Sequence, residues 1–442
     1  MTDPTPAVRD RILSLPATEL PAYVYDMTAL RTHAAAVRAA LPERIELYYA
    51  AKANPEPEIL AALGPYVNGY EVSSGGELAH VAKAVPGRPL AFGGPGKTPD
   101  EVTAALERGV ERFHVESAHE LRMLAELARR VTPGRRVAVL PRVNLPVADG
   151  ALASSSLAMG GRPTPFGMDP ERAEAVIGAL TDGTYPQLEL RGVHAHLASG
   201  LEAPEQVAVA ESVVAWATAL GGRLGVRLAE VNVGGGMHVD YAAPERRFDW
   251  DTYGIGLARL TERHPELTLR IEPGRALTAY CGWYATEVLD VKRSHGEEFA
   301  VVRGGTHHLR TPATKGHDQP CSVLPVDAWP HPWPRPAAED ERTGIGGPSD
   351  EVRGRITLAG QLCTPKDVLA RRVPAPGLRA GDRVAFALVG AYAWNISHHD
   401  FLMHPRPGFH FLDGGSGART GRGGRVDSAG LAESGGAEDS QR

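Results

Sequence analysis

Cysteine is scarce in this 442-residue chain: only Cys281, Cys321 and Cys363 occur, with no CxxC and no closely spaced even set. That excludes a disulfide scaffold and a thiolate zinc site, and it points to a reducing, cytoplasmic setting. Net charge is also small. The 47 basic and 53 acidic side chains leave -6 at pH 7, so neither nucleic acid nor an anionic membrane is expected as a partner. The N-terminus is acidic, proline-containing and free of a signal-like apolar run, and no apolar stretch reads as long enough to span a bilayer. What remains is an ordinary globular composition, 43% hydrophobic and 23% charged, long enough for one large domain and a smaller one.

From about residue 30 to 275, β-like runs alternate with amphipathic segments. The runs are IELYYA (45–50), NGYEV (68–72), PLAFG (89–93), RFHVE (112–116), RVAVLPRV (136–143), LELRGVHAHL (188–197), AEVNV (229–233) and LTLRIE (267–272). Between them lie helix starts: Thr98-Pro99 with Glu101, Ser117 with Glu120, and Asp169-Pro170, while 205–220 is a long apolar-periodic run. The alternation predicts an α/β chain with a (β/α)8 TIM barrel over 30–275, or failing that a doubly wound open sheet. From 276 to 412 strand-like runs such as EFAVVRGG (298–305) and RVAFALVGAY (383–392) predict a β-rich second domain, with 1–29 packing against it. Residues 322–350 are rich in proline and glycine and read as a loop or insertion; 413–442 read as a disordered tail.

Barrel strands carry reactive groups at their C-terminal ends. Here those ends hold Lys52, Glu71 with Ser73, Glu116, Arg142 with Asn144, His196 with Ser199, Gly234 to Gly236, and Glu272 with Arg275. Each has a plain and a functional reading. Lys52 can pair with a carboxylate, or form a Schiff base with an aldehyde cofactor. The three glycines can be a turn, or a backbone cradle for phosphate. Glu272 can bridge Arg275, or hold a pyridinium N–H. His194 and His196 share one strand face, but no third ligand stands at a sensible spacing, so no metal is expected.

Together the segments YYAAKANPEPEIL (48–60), YEVSSGGEL (70–78), FGGPGKT (92–98), GVHAHLASG (192–200), VNVGGG (231–236), IEPGR (271–275), QLCTPKD (361–367) and VGAYAW (389–394) resemble the alanine-racemase-like, fold type III decarboxylases that use pyridoxal 5'-phosphate. This group contains the diaminopimelate, ornithine and arginine decarboxylases. The resemblance implies that Lys52 binds the cofactor covalently, Glu272 meets the pyridine nitrogen and His196 stacks on the ring. It further implies that Ser199, Gly235, Gly236, Arg275 and Tyr392 surround the phosphate. Cys363 would act catalytically in the other subunit of a head-to-tail homodimer; its plain reading is a small buried hydrophobe. The substrate is then a small amino acid, with Arg142, Arg310, Thr364 and Asp367 as expected contacts.

Three departures bear on that substrate. Thr364 stands where diaminopimelate decarboxylases carry an acid, Pro165 replaces the usual lysine before Phe166-Gly167, and AWNISHHDFLMHPRP follows Tyr392. These resemble the siderophore-pathway branch, which acts on a citryl-diaminopropionate intermediate. His307, His308, His317, His398 and His399, with Arg310, are then expected to meet a carboxylate-rich substrate. The alternatives are decarboxylation of diaminopimelate or another basic amino acid, and, from a different class, a non-catalytic protein that binds the cofactor.

Overall fold

Near-continuous apolar runs flanked by amphipathic helices become parallel strands covered on their outer face. The computed structural model describes residues 3–146, 157–158, 160–338, 354–414 and 419–421. The chain opens with α1 (Pro6–Ser14), β1 (Ala22–Asp26) and α2 (Met27–Ala40). Strand–helix pairs follow: β2 (Ile45–Ala50) and α3 (Pro57–Leu63), β3 (Gly69–Val72) and α4 (Gly75–Ala84), β4 (Leu90–Phe92) and α5 (Pro99–Glu107). Next come β5 (Arg112–Val115) and α6 (Ala118–Val131), then β6 (Val137–Pro141), the short β7 (Leu157–Ala158) and α7 (Pro170–Thr181). The barrel is completed by β8 (Leu188–Leu190), β9 (Gly192–His194), β10 (Ala198–Ser199), α8 (Ala203–Leu224), β11 (Glu230–Asn232), α9 (Trp250–Arg263) and β12 (Thr268–Ile271).

The parallel sheet runs β8-β6-β5-β4-β3-β2-β12-β11-β9. Its two edges are halves of one strand, the expected 188–197 run, broken at Arg191. β8 pairs with β6 and β9 with β11. Arg191 is the pivot: its N–H donates to the Val139 carbonyl at 3.0 Å, and its own carbonyl accepts from Ala229 and Glu230 at 2.8 and 2.9 Å. At Gly192 a Cβ would collide with the Glu230 carbonyl, so only glycine lets the strands approach there. A bridge between Arg142 and His194, with the Val143 N–H 2.8 Å from the His194 carbonyl, joins the two edges. The result is the barrel, not the open sheet. Apolar side chains fill much of its strands; Tyr49, Val72, Phe92, Val193, Val231 and Ile271 are fully buried.

Local chemistry sets the helix starts. Thr98 and Glu101 form the reciprocal capping box that opens α5. Ser117 caps α6 by accepting from the Glu120 N–H at 3.0 Å, but the Glu120 carboxylate turns instead to Lys97 at 2.6 Å and the Glu116 N–H at 3.1 Å. Asp169 makes no side-chain cap, leaving Pro170 to open α7. In length and apolar composition, α8 does match a membrane span, contrary to the expectation from sequence. Its Val209, Val213, Ala217 and Leu220 are buried in the fold, which is the pattern of an outer barrel helix.

After β12 the chain makes α10 (Arg275–Thr278) and enters a mixed sheet of β13 (Gly282–Ser294), β14 (Glu297–Val302), β15 (Cys321–Leu324), β16 (Arg355–Ala359), β17 (Val368–Pro374), β18 (Arg383–Phe386), β19 (Gly408–Leu412) and β20 (Arg419–Gly421); α11 (Thr311–Lys315) lies between β14 and β15. β1 sits inside this sheet, antiparallel to β13 and parallel to β19. β15 begins the stretch read as a loop; residues 339–350 of that stretch lie outside the described residues. Of the segment read as a tail, Arg419–Gly421 pairs with β19, and most of the rest lies outside the described residues.

Candidate active site

A cleft of about 700 Å³ opens where the barrel mouth meets the second domain. Lys52 stands in the tight turn that follows β2. That turn is clamped by the second domain: Asn395 Nδ2 donates to the Lys52 carbonyl and the Tyr392 N–H to the Ala53 carbonyl, both at 2.7 Å, and Asn54 Nδ2 donates to the Gly390 carbonyl at 2.9 Å. The Lys52 ammonium is 2.6 Å from Glu71 Oε2 at the end of β3, and Ser73 donates to Oε1 at 2.8 Å. Burial works to lower the lysine pKa, but the Glu71 carboxylate, with Tyr392 and Glu272 beyond it, outweighs burial and raises it above the ordinary value. Burial conversely works to raise Glu71, and Lys52 and Ser73 bring it below the usual range. The pair is charged on both sides.

Glu272 ends β12 at the cleft floor. Asn232 Nδ2 donates to its Oε1 at 2.7 Å, while Asn232 Oδ1 accepts from the Gly234 N–H at 2.9 Å. Two buried imidazoles flank the carboxylate: His114 Nε2 is 3.8 Å from Oε1 and His194 Nε2 3.6 Å from Oε2. Burial, then the charge of Glu71, pushes Glu272 up to about 7. Burial holds both histidines far below their ordinary value, so they are neutral. His114, His194 and Glu272 form a possible metal-ligand trio that spacing along the chain does not reveal. The two rings, however, stack at 4.2 Å with planes 26° apart. Their in-plane lone pairs therefore run side by side and do not meet at one ion about 2.1 Å from each nitrogen.

Opposite Lys52 lies a backbone cradle. A Cβ on Gly236 would run into the Ala198 carbonyl, and one on Gly235 into that of Glu272. The Gly235 N–H donates to His196 Nδ1 at 2.9 Å. Burial, with Arg142 and Lys52 adding to it, lowers His196 to about 3, so it offers a neutral ring face. Arg275 does not bridge Glu272. Its guanidinium donates to the Tyr241 hydroxyl at 2.5 Å and lies 4.6 Å from the Tyr392 ring centroid. Ser199 lines the same wall.

The structure therefore gathers Lys52, His196, Ser199, Gly235, Gly236, Glu272, Arg275 and Tyr392 around one cleft. Arg142 lines it too, held by Glu116 at 2.7 Å and lying 5.0 Å from the Phe166 ring. Cys363, Thr364, Asp367 and Arg310 do not line the cleft of their own chain. Cys363 is exposed on a loop whose anchor is Asp367. That carboxylate is buried, accepting from the Thr306 N–H and Oγ1 and the Leu362 N–H at 2.6 to 2.8 Å. Arg310 is exposed. His307 and His308 are buried beside Tyr284 and His404, so of the histidines expected at the substrate only His317 lines the cleft. Missed in the sequence were His114, Tyr241, Lys315 and Asn232, although a polar side chain between the valines of VNVGGG was a signal.

These residues suit pyridoxal phosphate: an amine for an aldehyde, a cradle that admits no side chain, and a buried acid whose raised pKa calls for a cationic partner. Residues 27–279 match the family described as pyridoxal-dependent decarboxylase, pyridoxal binding domain. The chain is 37% identical over 393 residues to the 2-[(L-alanin-3-ylcarbamoyl)methyl]-2-hydroxybutanedioate decarboxylase of Staphylococcus aureus, covering 88% of this chain and 93% of that one. It is 33% identical to a diaminopimelate decarboxylase of Actinosynnema pretiosum, covering 86% and 82%. In fold it is similar to the Helicobacter pylori diaminopimelate decarboxylase solved with L-lysine, with a TM-score of 0.77 at 24% identity over 93% and 95% of the chains. The chain belongs to the pyridoxal-dependent decarboxylases.

Proposed function

We propose that the chain decarboxylates an amino acid whose far end carries carboxylates, of the kind named in the Staphylococcus aureus relative. The observation that carries this reading is the charge layout of the cleft. Among the described residues its only carboxylates are Glu71 and Glu272, and both are already answered, by Lys52 with Ser73 and by Asn232. Apart from the residues given to the cofactor, the lining also carries Lys315, His238 and His317. A distal ammonium would find no partner there, whereas a distal carboxylate would.

In this reading Lys52 holds the cofactor, and Glu71 takes the proton that the amine must shed to react. Glu272 would meet the pyridine nitrogen, His196 would cover the ring, and Ser199, Gly235, Gly236, Arg275 and Tyr392 would hold the phosphate. When bound, the cofactor supplies an electron sink for the pair left at Cα. The bond from Cα to its carboxylate breaks, carbon dioxide leaves, and one proton returns to Cα from Lys52 or Cys363. Because Cys363 and Thr364 stand outside their own cleft, their part requires a second copy of the chain in a homodimer. A cytoplasmic setting belongs to the same reading and agrees with three free cysteines.

Carbon dioxide release and product mass test it. With added pyridoxal phosphate, the hydroxybutanedioate conjugate should exceed lysine, ornithine and meso-diaminopimelate in kcat/KM by about 100-fold or more. A preference for meso-diaminopimelate overturns the reading.

A further inference from the structure

The outer wall of the cleft is built by a short stretch of the second domain. There α11 ends at Gly316, whose φ of 68° is left-handed, and the turn leaves both Lys315 and His317 lining the cleft. Neither is used by the lysine, ring or cradle residues described above. The exposed Lys315 makes no hydrogen bond or ion pair with any described residue, and Arg275 nearby repels its charge. His317 stacks on Tyr241, ring centroids 4.4 Å apart and planes at 27°. Its Nδ1 is 3.0 Å from the Asp318 carbonyl. A carbonyl only accepts, so Nδ1 carries the hydrogen and the neutral ring leaves Nε2 as a bare acceptor. That Nε2 is buried and has no partner. The wall thus presents an unanswered cation and, two residues on, a ring whose second nitrogen has no partner in the protein.

We infer that Lys315 and His317 form a hydroxy-carboxylate subsite for the far end of the substrate, the ammonium taking a carboxylate and Nε2 accepting from the neighbouring hydroxyl. Buried polar atoms without partners are rare and costly, and a ligand that answers both groups at once is favoured over one that answers neither. The inference rests on the proposed function, because it names the groups that would read the distal end of that substrate. It assigns the pair to the substrate and not to the cofactor phosphate, which has the glycine cradle, Ser199 and Arg275.

Two variants separate these assignments. Lys315→Met keeps the aliphatic stem, and His317→Phe keeps a ring against Tyr241. Pyridoxal phosphate affinity is read from absorbance, KM and kcat from carbon dioxide release, and competitive inhibition from free 2-hydroxybutanedioate against whichever substrate the wild type turns over best. Lys315→Met should raise KM for the conjugate and the inhibition constant of 2-hydroxybutanedioate about tenfold or more, with cofactor affinity unchanged. His317→Phe should raise KM about tenfold for the hydroxylated conjugate and leave the analogue lacking that hydroxyl within about twofold. Inhibition constants unmoved in both variants would overturn the subsite, as would weaker cofactor binding with KM unchanged. If the wild type prefers a basic amino acid, the proposed function fails, while inhibition by 2-hydroxybutanedioate still decides the subsite.

Discussion

The two ends of the cleft are built to opposite rules. At the inner end both carboxylates are buried and hydrogen-bonded: Glu71 is 4% and Glu272 7% exposed, the first meeting Lys52 and Ser73 and the second Asn232. At the outer end Lys315 and His317 line the cleft, and neither the Lys315 ammonium nor His317 Nε2 has a partner among the described residues. Inner residues stand at the ends of β2, β3, β11 and β12, which close hydrogen bonding and packing hold in place; the outer pair stands on a turn of the second domain. A chemical step shared across a family calls for preorganised groups that need no rearrangement. A group that varies with substrate does better on a loop, where its unsatisfied atoms wait for the ligand.

The sharpest way to break this contrast is at Lys52. Lys52→Ala should abolish both the visible chromophore with pyridoxal phosphate and carbon dioxide release, the latter by about 10³-fold or more. Retention of either would remove the amine from the centre of the inner end. A smaller effect is expected at Cys363, which is exposed in its own chain. Cys363→Ala should keep the colour and slow turnover about 10- to 100-fold. Unfolding and refolding it together with Lys52→Ala should restore about a quarter of wild-type activity, because half of the randomly paired dimers carry one intact site. No recovery on mixing would place the cysteine outside a shared site.

Much of this was legible in the chain. IELYYA at 45–50 coincides with β2 because a buried parallel strand must be apolar almost throughout, and that composition survives any tertiary context. Thr98-Pro99 with Glu101 was readable for a similar reason: a capping box is a local bargain between residues three apart. Relations between strands were not readable. Glu272 completes a trio with His114 and His194 only because β5, β9 and β12 close into one barrel. His307 and His308 read as polar groups free to meet substrate, yet Tyr284 and the 394–404 segment bury them. Lys315 carried no signal of its own, since its place on the cleft wall depends on how the second domain docks on the barrel.

The finest test of the contrast uses the protein without its cofactor. The inner end contains one group that its protein neighbours leave poised: burial and the charge of Glu71 push Glu272 from 4.5 up to about 7, against the opposing donation from Asn232. A carboxyl whose folded pKa lies above its unfolded value binds more protons when folded. Its contribution to stability is full below about pH 4.5 and is lost as pH rises through about 7. Glu272→Gln cannot titrate, whereas Glu56 and Glu77, both raised to about 7 by burial, titrate in both proteins and cancel. In urea unfolding, the stability of wild type relative to Glu272→Gln should therefore fall between pH 5 and 8, by up to about 3 kcal/mol. With pyridoxal phosphate bound, a pyridine nitrogen facing the carboxylate as proposed would favour its ionised form, and that slope should flatten. A difference already flat without cofactor would mean that Asn232 and the flanking imidazoles suffice to keep Glu272 ionised. The inner end would then be complete by itself, and its need for a cationic ring nitrogen would no longer be the reason for its construction.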